Sequence, residues 1–371
     1  MNIGKLEPDE LALFFRKMGE NNKLFIFCAG TYGDFLGRFF NVSGVNWEGY
    51  LDNNEELSTQ TLNDKPVMSA GNTIKNDNCK YIIATLFYEN IVNQLVNCGI
   101  NNDNIYWNDN INLFDEIAFR LVNPSEYLKK IEKFKNLHEG GRCFIIGNGP
   151  SLTLDDLNLI KNEDTMAANK IFQLYEKTVW RPKYYFADDP YVIRTAFPTK
   201  ESYKAVVAES EAAFTSTRRK MFEYRDDTDM RNVFYFKTVN DLSAGHPSFS
   251  EDCSKEVFTS YSITYTMLQF AAYMGYKEIY LLGIDHNYSK EKNINGEIIE
   301  NKSVKNHAQY MDDNNFNLEH IPEIGIMNLG YESAREYAQK KGITICNVTR
   351  GGKLEVFPRK KLEEVLDREQ S

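Results

Sequence analysis

The chain has 371 residues, more than one hydrophobic core usually covers, which indicates two domains. Its residues are 42% hydrophobic and 26% charged, a composition typical of a folded globular protein. The formal net charge is −10 and no block of basic residues is present, so nucleic acid is not expected as a partner. Peripheral association with a membrane and assembly into a homo-oligomer stay open at this stage.

The N-terminal segment "MNIGKLEPDELALFFRKMGE" contains acidic residues and no long apolar stretch, which is unlike a signal peptide. No window contains about 18 consecutive apolar residues, so no transmembrane helix is predicted and we expect a cytoplasmic protein. The cysteines form no C-x-x-C pair and lie mostly in apolar runs. We predict that they are reduced and buried, not zinc ligands or disulfides. They are Cys28, Cys79, Cys98, Cys143, Cys253 and Cys346.

The first predicted domain covers residues 1–111 and alternates strands with helices. The stretch "KLFIFCAGTYGDFLGRFF" reads as a strand, a glycine-bearing turn and an amphipathic helix. Strands over "WEGYLDNN" and "KYIIATLFY" follow, and then a helix that stops near Gly99. This order is typical of a doubly wound, mostly parallel sheet.

The turn of this domain nearly matches the dinucleotide fingerprint G-x-G-x-x-G. Gly30 and Gly33 fill two glycine positions, but Cys28 stands at the first, and Asp52 lies where a ribose-binding acid would be. We therefore expect a Rossmann-like domain without a dinucleotide. Over residues 20–110 the pattern resembles the small Rossmann-like domains that are fused to sugar-modifying enzymes and glycosyltransferases.

Residues 112–140 have apolar positions at helical spacing, interrupted at Pro124, and are predicted to form a helical connector. The pair Gly140-Gly141 marks its end. The second predicted domain covers residues 141–371.

This domain opens with "CFIIGNGPSL", in which a buried strand runs into the loop Gly147–Ser151. Glycines let backbone approach a neighbour closely, and free N–H groups at a helix start favour an anion. Thr153 and Asp156 form a predicted capping box behind the loop. The loop, including Pro150, is thus predicted to bind a phosphate; a tight turn without a ligand is the alternative.

Polar residues follow four predicted strands of this domain. Ligands of open parallel sheets bind beyond the carboxyl ends of the strands, so we expect these residues to share a site. A long helix with one apolar face begins near Ser262 and Thr264, directly before the strand "EIYLLGID". The strand-end residues are Asn148, Asn169, Lys170, Asp188, Asp189, Gly283, Asp285 and His286.

The motifs "IIGNGPSL", "AANKIF" and "GYKEIYLLGIDHNY" resemble those of a bacterial superfamily. Its branches are the CMP-sialic-acid-dependent sialyltransferases, the motility accessory factor (Maf-type) glycosyltransferases and the archaeal-type 6-hydroxymethylpterin diphosphokinases, called MptE-like. The resemblance covers about residues 140–360, and it implies that the second domain is the catalytic, nucleotide-sugar-binding one. It implies an α/β chain of two Rossmann-like units with mostly parallel sheets, the second sialyltransferase/GT-A-like.

The resemblance also implies roles for residues. Three loop residues would hold the phosphate and ribose of a CMP-sugar: Asn148, Gly149 and Ser151. Asn169 matches an asparagine that contacts the nucleotide, whereas Asp189 departs from the family's asparagine. Ser262 and Thr264 only approximate the family's Thr-Ser-Gly. The tail "NVTRGGKLEVFPRKKLEEVL" is closer to the accessory-factor and diphosphokinase branches.

Glycosyl transfer needs a base for the acceptor hydroxyl, and histidine is the natural side chain for this role. In the sialyltransferases the base falls between the strand-end "GID" and the last helix, an order that His307 and His320 both satisfy. We favour His307, because "HAQY" resembles the accessory-factor branch. Asp285 and His286 are further catalytic candidates. Four residues could contact the leaving phosphate: Tyr288, Tyr310, Arg350 and Lys353.

The sequence therefore predicts a glycosyltransferase that moves a nonulosonic acid, or a related sugar, from a CMP donor to a glycan or protein acceptor. No metal site is assigned and no cofactor is required, although Mg²⁺ stays open. One alternative is an Mg²⁺-dependent diphosphokinase with Asp188, Asp189 and Asp285 as metal ligands. The other is a nucleotide-binding scaffold without catalysis.

Overall fold

The computed structural model describes residues 1–72, 78–85, 87–110, 113–114, 116–117, 121, 124–197, 199–216, 231–241, 245–292, 297–311 and 321–367. The chain divides into two compact units, Met1–Pro124 and Ser125–Ser371. Helix α4 (Pro124–Glu132) begins at this division, within the stretch predicted as a connector.

The first unit contains a six-stranded sheet with the order β3-β4-β2-β1-β5-β6. Its pairs are parallel except β3–β4. The strands are β1 (Lys23–Phe27), β2 (Gly49–Asp52), β3 (Thr61–Leu62), β4 (Lys65–Ser69), β5 (Cys79–Ile83) and β6 (Ile105–Trp107). Its helices are α1 (Pro8–Gly19), α2 (Thr31–Val42) and α3 (Tyr88–Asn97).

The turn after β1 closes on itself. Cys28, at the first glycine position of the fingerprint, has a left-handed backbone with φ 79°. The Asp52 carboxylate accepts hydrogen bonds from the backbone N–H of Ala29 at 2.7 Å and of Asn54 at 2.8 Å. The candidate ribose-binding acid is thus used to hold the turn itself.

The second unit is built on a seven-stranded parallel sheet with the order β11-β10-β9-β8-β7-β14-β17. Its strands are β7 (Arg142–Ile146), β8 (Thr165–Ala168), β9 (Tyr184–Phe186), β10 (Ala212–Ser216), β11 (Val233–Phe236), β14 (Glu278–Leu282) and β17 (Thr344–Asn347). Two small pairs accompany it: β12 (Thr238–Val239) with β13 (Val257–Phe258), and β15 (Lys290–Lys292) with β16 (Ile298–Glu300). The chain order reverses between β7 and β14, which makes this the switch point of the sheet.

Alternate residues of β7 enter two different cores. Cys143 and Ile145 belong to a core formed with α4, α8 (Ile263–Tyr273) and α9 (Ile324–Lys341). Phe144 and Ile146 belong to the core on the other face. That core includes side chains of α5 (Leu154–Leu159), α6 (Pro190–Ala196), α7 (Lys200–Val207) and α10 (Leu362–Leu366). A strand buried on both faces explains the uninterrupted apolar run "CFII".

The predicted α/β class with two mostly parallel sheets is confirmed. The six cysteines are free, as predicted, but Cys98 is exposed and Cys28 only partly buried, so the prediction of burial is wrong for these two. No helix among the described residues combines the length and apolarity needed to cross a bilayer.

Candidate functional site

A cavity of about 500 Å³ lies at the carboxyl edge of the second sheet. Its wall includes residues that directly follow β7, β8, β9 and β14, and the first residues of α8. The cavity therefore opens at the switch point between β7 and β14, where open parallel sheets bind ligands.

The glycines of the loop after β7 pack against the chain after β14. A Cβ on Gly149 would lie 2.7 Å from Asp285 Cγ and 2.8 Å from the Gly283 carbonyl oxygen, and one on Gly147 would collide with Gly283. Gly149 N–H donates to this same carbonyl at 2.9 Å. The structural reason for both glycines is thus the close approach of two strand-end loops.

The helix start behind this loop is capped by side chains of the protein. Thr153 and Asp156 form the predicted capping box of α5. Asp156 is fully buried and receives both terminal nitrogens of the Arg350 guanidinium, Nη1 at 2.7 Å from Oδ2. These bonds hold the pKa of Asp156 below its usual value, although burial opposes them. Arg350 is thus bound to the buried cap residue Asp156, whereas phosphate binding at this helix start stays a prediction.

Two other positive features line the cavity. Lys170, 8% exposed, stands directly after β8, and no acidic side chain of the described residues pairs with its ammonium. The α8 N-terminus presents Ser262, Ile263 and Thr264, and the N-cap Ser262 makes no side-chain cap. Free N–H groups at a helix start attract anions, and a lysine nearby reinforces this attraction.

Four polar atoms of wall residues are sealed from solvent without a hydrogen-bond partner among the described residues. A buried polar group left unpaired costs about 1–3 kcal/mol, so such atoms are usually satisfied by a ligand or an ordered water. All four can accept a hydrogen bond: Asn148 Oδ1, Asn169 Oδ1, Asn287 Oδ1 and His286 Nδ1.

Three non-glycine residues of the wall have left-handed backbones: Asn169 at φ 56°, Tyr261 at 56° and His286 at 50°. This conformation is unfavourable for residues with a Cβ and concentrates at functional sites. Asn169 is held in place by Tyr185, whose hydroxyl donates to its carbonyl at 2.6 Å.

His286 follows Asp285 at the end of the loop after β14. It is 6% exposed, and its Nε2 lies 2.8 Å from Asn328 Oδ1 on α9. Burial lowers the pKa of this imidazole below its usual value. The ring therefore stays neutral at pH 7.

Asp285 is also a wall residue. Its Oδ2 accepts hydrogen bonds from the Ser151 hydroxyl at 2.7 Å and the Ser151 N–H at 3.4 Å. Burial raises the pKa of this carboxyl above its usual value, although the bonds from Ser151 oppose the shift. Ser151 thus supports Asp285, whereas the sequence predicted that it binds nucleotide.

His307 lies on the same cavity wall as Asn148 and Asp285. The next residue, Ala308, donates its backbone N–H to the Asn148 carbonyl at 2.8 Å, which holds His307 beside the loop. His320, the competing base, lies outside the described residues.

The structure brings most of the predicted site residues together. The wall contains Gly147, Asn148, Gly149, Asn169, Lys170, Asp189, Ser262, Thr264, Gly283, Asp285, His286, Tyr288 and His307. It does not contain Pro150, Ser151, Asp188, Tyr310, Arg350 or Lys353. Arg350 is ion-paired as described above, and the Tyr310 side chain is 57% exposed. The sequence missed further wall residues: Val192, Thr195, Tyr261, Asn287, Lys292, Asn306, Glu323 and Tyr331.

Among the missed residues only Asn287 carried a local signal, because it directly follows the strand-end pair Asp285-His286. Tyr331 lies within α9, and its hydroxyl is 3.0 Å from Ser262 Oγ. Lys292 and Glu323 form an ion pair of 3.0 Å at the wall. In the part of the chain that the structure describes, no three His, Cys, Asp or Glu side chains are arranged to hold a metal ion.

Comparison with known proteins gives one family and two similar folds. Residues 119–291 match the family described as 6-hydroxymethylpterin diphosphokinase MptE-like, so this stretch is an MptE-like domain, and the predicted resemblance is confirmed. No curated protein sequence matches the chain.

The solved structures include the Maf glycosyltransferase from Magnetospirillum magneticum AMB-1, with 13% identity and a TM-score of 0.37 over 91% of this chain. The chain spans 57% of the length of that protein. A second is the sialyltransferase CstII from Campylobacter jejuni, in complex with a substrate analogue, cytidine-5′-monophosphate. It has 17% identity and a TM-score of 0.36, over 60% of this chain and 85% of its own.

Proposed function

We propose that the unit Ser125–Ser371 is a glycosyltransferase that binds a CMP-sugar in the cavity described above and transfers its sugar, of the nonulosonic acid class, to a hydroxyl of a glycan or protein. The observation that carries the proposal is the chemical content of the cavity wall. Among the residues that the structure describes, Lys170 of the wall has no ion-pair partner, and four buried acceptors of the wall have no hydrogen-bond donor.

This combination suits a sugar phosphate or nucleotide. The four acceptors, three amide oxygens and one imidazole nitrogen, suit a ligand with several hydrogen-bond donors, such as sugar hydroxyls or an exocyclic amine. Lys170 and the start of α8 require a negative charge. The cytidine part of the proposal rests on the resemblance of "IIGNGPSL" and "AANKIF" to the sialyltransferase motifs.

The charge of the wall favours one phosphate over three. Lys170 is the wall cation that pairs with no carboxylate of the described residues, while Lys292 is neutralised by Glu323. A triphosphate carries more negative charge than this wall balances, and it would need added cations. A phosphodiester linked to a sugar carries a single charge, which Lys170 and the start of α8 can offset.

His307 is the proposed general base. In the transfer step, the bond between the anomeric carbon and the phosphate oxygen breaks, and the acceptor oxygen forms a bond to that carbon. The acceptor proton passes to the His307 imidazole, and CMP leaves with the electron pair. Lys170 and the α8 start stabilise the negative charge that develops on the leaving phosphate.

A second candidate is an Mg²⁺-dependent diphosphokinase, which the description of the matching family favours. Asp285 accepts from Ser151 through Oδ2, so Oδ1 is the atom that it could offer to a metal. Asp189 and Glu323 are the other carboxylates of the wall. Calorimetric titration with CMP, and with ATP and Mg²⁺, separates the two proposals: the glycosyltransferase binds CMP, and the diphosphokinase binds ATP only with the metal.

Turnover is tested by release of CMP from CMP-N-acetylneuraminic acid in the presence of sugar acceptors. His307→Ala should reduce the rate by roughly 10²–10⁴-fold and leave CMP affinity nearly unchanged, because a general base acts in the transition state. His246→Ala is the matched control, since His246 bonds to Ser333 and is not part of the cavity wall. An equal loss in both variants would refute the role of His307.

A further inference from the structure

The contact between His286 and Asn328 determines where the imidazole carries its proton. An amide oxygen can only accept a hydrogen bond, so the 2.8 Å contact with Asn328 Oδ1 requires a proton on Nε2. In the neutral ring the other nitrogen, Nδ1, is then a lone-pair acceptor. Nδ1 is also the ring atom that has no partner among the described residues.

Burial favours the neutral form of the ring and outweighs the hydrogen bond with Asn328, which raises the pKa of the imidazole. Lys353, on the turn after β17, is the charged group that acts on it through space, and it opposes protonation. Two aromatic rings, Tyr331 on α9 and Tyr288 on the same loop, stand edge-on at centroid distances of 5.5 and 6.1 Å. The neighbouring Asp285 directs its carboxylate to Ser151. The partner on Nε2 is a neutral amide, whereas a carboxylate there would stabilise the imidazolium.

We propose that Asn328 is a positioning residue: it holds His286 in the tautomer protonated on Nε2, so that Nδ1 accepts a hydrogen bond from the nucleotide in the cavity. The identity of the ligand rests on the proposed function, and the tautomer does not. His286 has a left-handed backbone and lies on the cavity wall. This strained conformation is typical of functional sites, which fits a ring that is held in one tautomer to bind a ligand.

The tautomer is tested without any ligand by ¹⁵N NMR of the imidazole nitrogens at pH 7. The unsubstituted protein should show a protonated Nε2 and an unprotonated Nδ1 for His286. Asn328→Asp, which keeps the size of the side chain, should give a ring protonated on both nitrogens. Asn328→Ala should give a mixture of the two neutral tautomers. A proton on Nδ1 in the unsubstituted protein, or a spectrum that neither substitution changes, overturns the proposal.

The ligand contact is tested by calorimetry with CMP as the probe. Asn328→Ala should weaken CMP binding by roughly 5- to 30-fold, as expected when a hydrogen bond in a closed site loses its orientation. Glu336→Gln, an exposed position on the same helix, should leave it unchanged. Unchanged CMP affinity in a variant whose tautomer has shifted overturns the contact. Failure of the unsubstituted protein to bind CMP overturns the proposed function, while the NMR result stands on its own.

Discussion

Replacing Lys170 with methionine removes a charge while it nearly preserves the length of the side chain. A lysine about 4 Å from a phosphate contributes about 4 kcal/mol at an effective dielectric constant of 20. Desolvation of the two ions offsets part of this Coulomb energy. The offset is small for Lys170, because Lys170 is already buried and pairs with no carboxylate of the described residues, so about 2–3 kcal/mol of binding free energy is left. Lys170→Met should therefore weaken CMP binding by roughly 30- to 150-fold.

Calorimetry with two ligands makes this prediction specific to the phosphate. CMP affinity should fall, and the affinity for cytidine, which has no phosphate, should stay the same. Lys177→Met is the control, because Lys177 is an exposed lysine close in sequence. An equal loss for both ligands would mean that Lys170 supports the cavity as a whole, and no loss for either would refute its contact with phosphate.

Three further predictions concern the surroundings of the cavity. Arg350→Met should lower the free energy of unfolding in urea by about 2–3 kcal/mol, because it leaves the buried Asp156 carboxylate without its partner. CMP affinity should stay unchanged, and weaker CMP binding would contradict a purely structural role of Arg350. Gly149→Ala should lower the free energy of unfolding by about 1–3 kcal/mol, because the added Cβ collides with Asp285. Gly30→Ala is the control, since a Cβ at Gly30 meets nothing within 4 Å. Equal effects of the two substitutions would refute the packing argument. Burial raises the pKa of Asp285 in the folded state. The ionised carboxylate therefore destabilises the folded protein at neutral pH, and this effect disappears below pH 3.8, the pKa of the group in the unfolded chain. Asp285→Asn should therefore increase the free energy of unfolding at pH 7, and this gain should shrink as the pH falls towards 3.8. Urea unfolding at several pH values measures the gain, and a gain that is the same at every pH would disprove the prediction.

The positions of the strand ends could be predicted from the sequence. Strands buried on both faces are continuous apolar runs, as in β7 and β14, so the polar residue that follows each one marks the carboxyl edge of the sheet. Parallel strands bring these edges together, which is why Asn148, Asn169 and Asp285 share a wall. The alternation of strands and helices that indicates a parallel sheet is visible in short stretches of sequence. The residues at the strand ends, which form this part of the site, can therefore be found from the same short stretches.

The partners of the charged residues could not be predicted in the same way. Arg350 and Asp156 are 194 residues apart, and no local pattern distinguishes an arginine that binds phosphate from one that neutralises a buried cap. The same applies to Glu323 and Tyr331, which reach the wall because α9 packs beside α8. These contacts depend on how helices pack, a property of the whole fold.

The glycines of "IIGNGPSL" show how one sequence signal can have two physical causes. A glycine permits close approach of the backbone to any neighbour, whether this is a ligand or another loop. Here the neighbour is the chain at Gly283–Asp285, and Gly283 itself has a left-handed backbone with φ 70°. The glycines allow the loops after β7 and β14 to approach closely, and Asn148 and His286 of these loops both line the cavity at the switch point. In this arrangement the loop builds the wall of the cavity, while Lys170 and the start of α8 supply its positive charge.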